Sequence, residues 1–224
     1  ADSTTNMTTT LVRVDREGRA ETLADVSGNA WYPRFSPDGS RIAFAVAPGP
    51  GAAGDADLWV LDIERGTRTR LTFADNNRFY PVWSPDGSRI AYVAGHGEST
   101  QIWTVSMNGG WAMQLTQGDG TASDPRWSPD GRTILYLYRR DGLADLWRVS
   151  AEPTDAGNAT ALTSTGAVGL GARWAPDGRQ VAFVSSHTGR RSIWLVPAEG
   201  GEMVQLTSDE NADYGPDWAP DGTR

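Results

Sequence analysis

The chain contains no cysteine, which removes disulfides, thiol nucleophiles and zinc–thiolate sites together. It has two histidines, His96 and His187, and each lies in a Gly/Ser-containing stretch far from the other. There is no Gly-x-Ser-x-Gly elbow, no metal-type histidine pair and no phosphate loop, so the usual hydrolase, zinc-enzyme and nucleotide signatures are missing. No apolar run approaches the roughly 20 residues that span a bilayer, and no membrane insertion is expected within this chain. No signal-peptide pattern opens it. Ala1-Asp2-Ser3 reads equally as a mature N-terminus or as an arbitrary boundary. Helical periodicity is missing throughout. Basic charge is in deficit: the net charge is −8 and the pI about 4.7, which disfavours a nucleic-acid partner.

What the chain has in excess is tryptophan, 10 in 224 residues, and a repeated turn. Tyr80-Pro81-Val82-Trp83-Ser84-Pro85-Asp86-Gly87 is the clearest copy. The aromatic-x-Pro-Asp-Gly core recurs with its aromatic at 35, 83, 127, 174 and 218, a spacing in the range of four-stranded propeller blades. Trp59, Trp103, Trp147 and Trp194 form a second register. Proline presets φ, aspartate bonds back to the backbone, and glycine takes the positive φ of each turn.

This pattern predicts an all-β propeller of four-stranded antiparallel blades. Four full blades fall near 31–72, 79–116, 123–163 and 170–207. Half blades fall near 10–24 and 214–224, residues 1–9 form a loose terminus, and 10–224 is the propeller. In the first repeat the expected strands are A at Tyr32–Ser36, B at Arg41–Val46, C at Leu58–Asp62 and D at Arg68–Thr72. Pro48–Asp55 is a Gly/Pro/Ala-rich insertion. The ends admit two expectations. Residues 214–224 supply strand A to the N-terminal strands and close five blades, or the chain is part of a larger propeller. The second is preferred, since a blade without strand B loses ladder bonds on both flanks. Open blade edges would then favour self-association.

Blade direction sorts the loops. A–B and C–D turns share one uniform face. D–A and B–C segments share the other, which is variable and is where a ligand is expected. The rim candidates are Trp31, Tyr32, Arg78, Phe79, Tyr80, Asp124, Asp213 and Tyr214. The B–C side adds Pro48–Asp55, His96–Gln101, Arg139–Asp145 and His187–Arg191. As a loop residue, His187 should tolerate alanine. Arg34, Arg126 and Arg173 share one strand A position, completed by Val82 and Asp217, and are candidates to line the channel and attract an anion. The Asp38, Asp86, Asp130, Asp177 and Asp221 series is assigned to turn geometry. Asp119, Asp124, Asp209, Glu210 and Asp213 are the nearest approach to calcium ligands, but no EF-hand-like order is present. No metal, cofactor or catalytic residue is therefore expected.

The succession Pro-x-Trp-Ser-Pro-Asp-Gly, Ile-Ala-Tyr, Ile-Trp, Gly-Gly and Leu-Thr resembles the WD-repeat-like propeller units of TolB, over nearly all of Leu11–Arg224. Similar units occur in the propellers of prolyl-oligopeptidase-type and tricorn-type proteases and in extracytoplasmic domains of bacterial Ser/Thr kinases. The resemblance implies an extracytoplasmic, bacterial, non-catalytic scaffold with a protein, peptide or small-molecule ligand on the D–A/B–C face. One alternative is the accessory or gating propeller of a larger enzyme whose catalytic domain lies outside this chain. Another is an enzyme acting in its own channel.

Overall fold

A computed structural model describes residues 8–47, 56–73, 77–96, 99–108, 110–152, 157–208 and 213–222; the side chains of 77, 78 and 96 are outside it. The expected Pro48–Asp55 insertion and residues 1–7 fall outside the described residues. Every described element is a strand. A two-stranded sheet, β1 (Thr8–Val14) and β2 (Ala20–Ser27), precedes four four-stranded antiparallel sheets in sequence order. The first is β3 (Asn29–Phe35), β4 (Arg41–Ala47), β5 (Asp57–Asp62) and β6 (Thr67–Arg70). The second is β7 (Asn77–Trp83), β8 (Arg89–His96), β9 (Ser99–Ser106) and β10 (Met113–Gln114). The third is β11 (Thr121–Trp127), β12 (Thr133–Arg140), β13 (Leu143–Ser150) and β14 (Thr160–Ala161). The fourth is β15 (Arg173–Trp174), β16 (Gln180–Ser185), β17 (Ser192–Pro197) and β18 (Val204–Gln205).

Each sheet has two faces to bury, and the period of two sends alternate residues to opposite neighbours. In β4, Phe44 and Ile42 join Leu11 and Val26 from the N-terminal hairpin, while Ala43 and Ala45 face the second blade with Ile90 and Tyr92. In β12, Ile134 and Tyr136 face the second blade, while Leu135 and Leu137 meet Phe183 of the fourth. At the seam of the first two blades Ile90 and Tyr92 fill the space left by Ala43 and Ala45, as dense packing requires.

Strand A of each blade is the inner strand, and β3, β7, β11 and β15 touch in succession. Their tryptophans tie the blades together. Trp83 Nε1–H donates to the Arg34 carbonyl at 3.0 Å, Trp127 to Val82 at 3.0 Å, Trp174 to Arg126 at 3.1 Å and Trp218 to Arg173 at 3.2 Å. Each indole thus latches onto the preceding strand A. The fifth slot holds Phe35, which has no N–H to give and is 51% exposed, against 7% for Trp83 and Trp127.

The Pro-Asp-Gly turns also nest. A methyl group built on Gly87, Gly131, Gly178 or Gly222 would lie 3.6–3.7 Å from the proline of the preceding turn, Pro37, Pro85, Pro129 or Pro176. Within a turn the serine hydroxyl donates to the aspartate: Ser36 to Asp38 at 2.6 Å, Ser84 to Asp86 at 2.5 Å, Ser128 to Asp130 at 2.6 Å. The next backbone N–H adds a second bond, as from Ser40 at 3.0 Å. These bonds, the serine first, hold Asp38 and Asp86 down at about 2 and Asp130 below its ordinary range. A carboxyl depressed on folding stabilises the fold above its unfolded value and ceases to do so as pH falls through its folded one. The turns should therefore hold to about pH 4 and loosen progressively toward pH 2. A urea-midpoint series against pH checks this, and Asp86→Asn should flatten the slope there.

Several strand bounds move. Of the loose terminus expected at 1–9, Thr8 and Thr9 belong to β1; the Thr9 hydroxyl donates to the Gly28 carbonyl at 2.8 Å. The expected loop Arg139–Asp145 is mostly strand: β12 and β13 pair up to Arg140 with Leu143, leaving Asp141-Gly142 as a two-residue turn with both φ positive. The outer strands are short. β10 ends at Gln114, although the Leu115 N–H still reaches the Ile102 carbonyl at 2.8 Å. Residues 213–222 contain no strand, although the turn forms, with Gly222 N–H on the Ala219 carbonyl at 2.8 Å. Among the described residues no backbone hydrogen bond joins 213–222 to β1 or β2.

Candidate functional site

The start of strand A carries three of the four positive-φ non-glycine residues among the described residues. Three residues before each aromatic latch position, φ is positive: Tyr32 (55°), Tyr80 (57°), Asp124 (51°), Gly171 (92°) and Gly215 (57°). Register breaks there in β3, β7 and β11, between Trp31 and Arg34, Phe79 and Val82, and Ser123 and Arg126. These are β-bulges, which re-aim side chains. Glycine takes this conformation freely, but a tyrosine or aspartate does so at a cost of order 1–2 kcal/mol. The bulges repeat at the D–A end of three successive inner strands, on the loop face where a ligand is expected.

What they aim is a cluster. The Tyr32 and Tyr80 rings lie 4.2 Å apart at 37°, with hydroxyls 3.4 Å apart, and Phe79 stands edge-on to Tyr32 at 6.2 Å. The bond that the Tyr32 hydroxyl donates to Tyr80, followed by burial, raises the Tyr32 phenol above its ordinary value. Tyr80 remains 44% exposed. Asp124 accepts the Gly171 N–H at 2.8 Å through one oxygen and Arg126 Nη2 at 2.6 Å through the other. It therefore ties two adjacent mouth positions together.

Two residues further along each strand A lies the slot of Arg34, Val82, Arg126, Arg173 and Asp217. Arg126 is the most enclosed of the three arginines in this slot. Burial weighs first against its charge, Asp124 supports it, and Arg173 and Arg34 repel it, with a net downward shift. Its Nε is buried without a partner. Among the described residues Arg34 and Arg173 donate to adjacent carbonyls alone, Pro33 at 3.0 Å and Ala172 at 3.1 Å, and Asp217 stands 3.9 Å from Arg173.

The other rim candidates are placed elsewhere. Trp31 packs, partly buried, against the seam of the first two blades with Ala45 and Tyr92. The Asp213 carboxylate accepts the Thr207 hydroxyl, and its N–H donates to the Arg191 carbonyl at 3.1 Å. Tyr214, 69% exposed, has the Arg191 guanidinium over its ring at 5.2 Å. Asp75, Asn76, Asp209, Glu210 and the Arg78 and His96 side chains lie outside the described residues. Asp119 pairs with Arg140 at 3.1 Å, and no group of three acids or histidines suited to a metal occurs among the described residues. His187 lies in the expected exposed loop but makes contacts there. Its ring lies 4.3 Å from that of Trp194, and its Nδ1 is 3.0 Å from the Ser185 hydroxyl. Ser185 is fully buried and also bonds to the Ala167 carbonyl at 3.2 Å, whereas His187 is exposed. Alanine at 187 would uncover part of Trp194.

Two features escaped the sequence reading. The positive-φ ring could have been found from Gly171 and Gly215, which occupy the tyrosine slot. A cleft of about 440 Å³ lies beside the β12–β13 hairpin, lined by Tyr138, Trp147, Asp119 and Arg140 among others. It had no repeat signal to announce it.

Successive four-stranded antiparallel sheets whose inner strands touch in order define a β-propeller architecture. The family model described as the TolB beta propeller domain matches residues 5–169, and the chain belongs to that family. No functionally curated protein matches it in sequence. Among solved structures it is similar to a protein assigned as TolB in Agrobacterium tumefaciens (23% identity, TM-score 0.70, covering 97% of this chain and 76% of that one). It is also similar to an oligogalacturonate lyase solved with manganese (20%, 0.69, 97% and 66%). A puromycin-hydrolyzing peptidase of Mycobacterium tuberculosis aligns too (18%, 0.72, 93% and 35%). The chain spans just under two thirds of that lyase and about a third of that peptidase. At these identities the likeness establishes the fold. No described helix is long and apolar enough to cross a membrane.

Proposed function

We propose that this propeller is a non-catalytic, extracytoplasmic binding scaffold that receives a protein or peptide segment at the channel mouth on its D–A/B–C face. The observation that carries the reading is the positive φ of Tyr32 and Tyr80. Two blades keep a bulky ring where two other copies have glycine, at a cost to stability, and the rings stack beside the opening rather than in a seam. Strain retained at an exposed aromatic pair is the mark of a binding site, and propeller mouths are concave places with a few placed polar groups. The family's occurrence in TolB supports the placement outside the cytoplasm. The similarity to a peptidase that this chain covers by only 35% supports a second reading, in which the same face serves a catalytic domain elsewhere.

The test uses the strain itself. Tyr32→Gly/Tyr80→Gly should leave the melting temperature unchanged or raised, because glycine relieves the backbone at each site. The same variant should lose binding. A phage-displayed random peptide library panned on the wild-type protein supplies the ligands. Peptides that bind wild type and the double variant equally would exclude the mouth as the binding face.

A further inference from the structure

We infer that the channel mouth takes its ligand through a carboxylate, bound by the guanidinium groups of Arg34, Arg126 and Arg173. This rests on the mouth being the binding face and adds the chemistry of what is held there. The scaffold does not require arginine in this slot. Val82 presents the same latched carbonyl to Trp127 that Arg34 presents to Trp83, so the side chain is free to serve another purpose. Three arginines nevertheless occupy this one slot on inner strands that touch in succession, and Arg34 and Arg173 both oppose the charge on Arg126, in a protein whose net charge is −8.

The local acids do not balance them. Asp124 pairs with Arg126 at 2.6 Å and is itself committed to the Gly171 N–H. Asp217 is 3.9 Å from Arg173 with an 85% exposed side chain. Arg34 has no acidic partner among the described residues. Three cations against two carboxylates leave one positive charge, which matches a monoanion better than a dianionic phosphate. The planar guanidinium fork fits a carboxylate through paired N–H donors. The Tyr32–Tyr80 rings at the mouth suit the organic body that carries it.

Calorimetry on the whole chain at low salt tests this with four probes. These are benzoate, a capped hexaglycine-type peptide bearing one central glutamate, its glutamine twin, and inorganic phosphate. Binding of benzoate or of the glutamate peptide, with the glutamine twin inert, is the expected result. Benzoate alone would point to a small organic acid, and the glutamate peptide alone to an acidic side chain of a partner. Arg34→Gln, at an exposed position, should weaken that binding about tenfold, and Asp217→Asn should tighten it by freeing Arg173. Equal binding of the two peptides without benzoate binding would overturn the proposal. So would tighter binding of phosphate, or indifference to Arg34→Gln and Asp217→Asn in variants whose melting is unchanged. Library peptides that need Tyr32 and Tyr80 but ignore Arg34→Gln would sink the carboxylate and leave the binding face standing. Arginine-dependent benzoate binding that survives Tyr32→Gly/Tyr80→Gly would sink the tyrosine reading instead.

Discussion

Trp127→Ala should destabilise the propeller by about 3–5 kcal/mol, the range for emptying a large aromatic site that cannot collapse. The side chain is 7% exposed and sits in the seam of the second and third blades with Ala91, Val93 and Ile134. Arg89 lies over its ring at 4.9 Å while donating to the carbonyls of Ala151 and Gly131, so those bonds lose their backing as well. Trp127→Phe isolates the latch. It keeps most of the apolar volume but strands the Val82 carbonyl, at a cost of about 1–3 kcal/mol. Phe35→Ala, in the same slot at 51% exposure, should cost clearly less than Trp127→Ala. Urea unfolding of the three variants gives the order directly. Equal losses at positions 35 and 127 would refute the latch as a source of stability.

Asp145→Ala should cost about 3 kcal/mol, because one carboxylate serves several donors at once. It accepts the Thr163 hydroxyl at 2.7 Å and the backbone N–H groups of Thr165 at 2.7 Å and Gly166 at 3.0 Å. Thr163 in turn accepts the Leu146 N–H at 3.0 Å. The same relay recurs with other partners: Thr72 to Asp57 at 2.9 Å, Thr116 to Gln101 at 2.7 Å, and Thr207 to Asp213. Each relay fastens the outer strand to strand C where the outer strand's ladder has already stopped. Asp145 also organises the following D–A segment through that segment's backbone N–H groups, where Ala144 and Ala167 form a bridge, as Gln101 does in the second blade by donating to the Gly118 and Gly120 carbonyls. Hydrogen exchange should therefore show 163–168 deprotected in Asp145→Ala, with the corresponding stretch of the second blade unaffected. Uniform deprotection would mean that the relay is not local.

The blades were legible because the turn is. Proline, aspartate and glycine at fixed offsets state a backbone conformation residue by residue, and the aromatic before them marks the seam. What was not legible depends on partners far along the chain. The indole latches join residues 45 to 49 apart, and tryptophan's bulk hid its N–H as the relevant group. The Leu-Thr signature was visible, but its threonine reads as strand when its work is to cap one. Arg139–Asp145 reads as a polar loop, yet Asp141-Gly142 is the pair that a tight hairpin demands, and the flanking arginines only decorate strands. At the mouth, Tyr32 and Tyr80 were picked for their rings. Their conformation was written in the glycines that replace them two blades on.

The latches have a direction, and direction has a meaning in time. In every case the carbonyl belongs to the earlier residue and the indole to the later one. On a ribosome, the acceptor of each seam emerges before its donor, and the donor arrives on the strand that opens the next blade. Each sheet can therefore be fastened to the one already made as soon as its first strand appears, without waiting for its own outer strands. A repeat array grown this way adds one nearest-neighbour contact at a time, from the N-terminal side, and exposes at any moment only a single unfinished face.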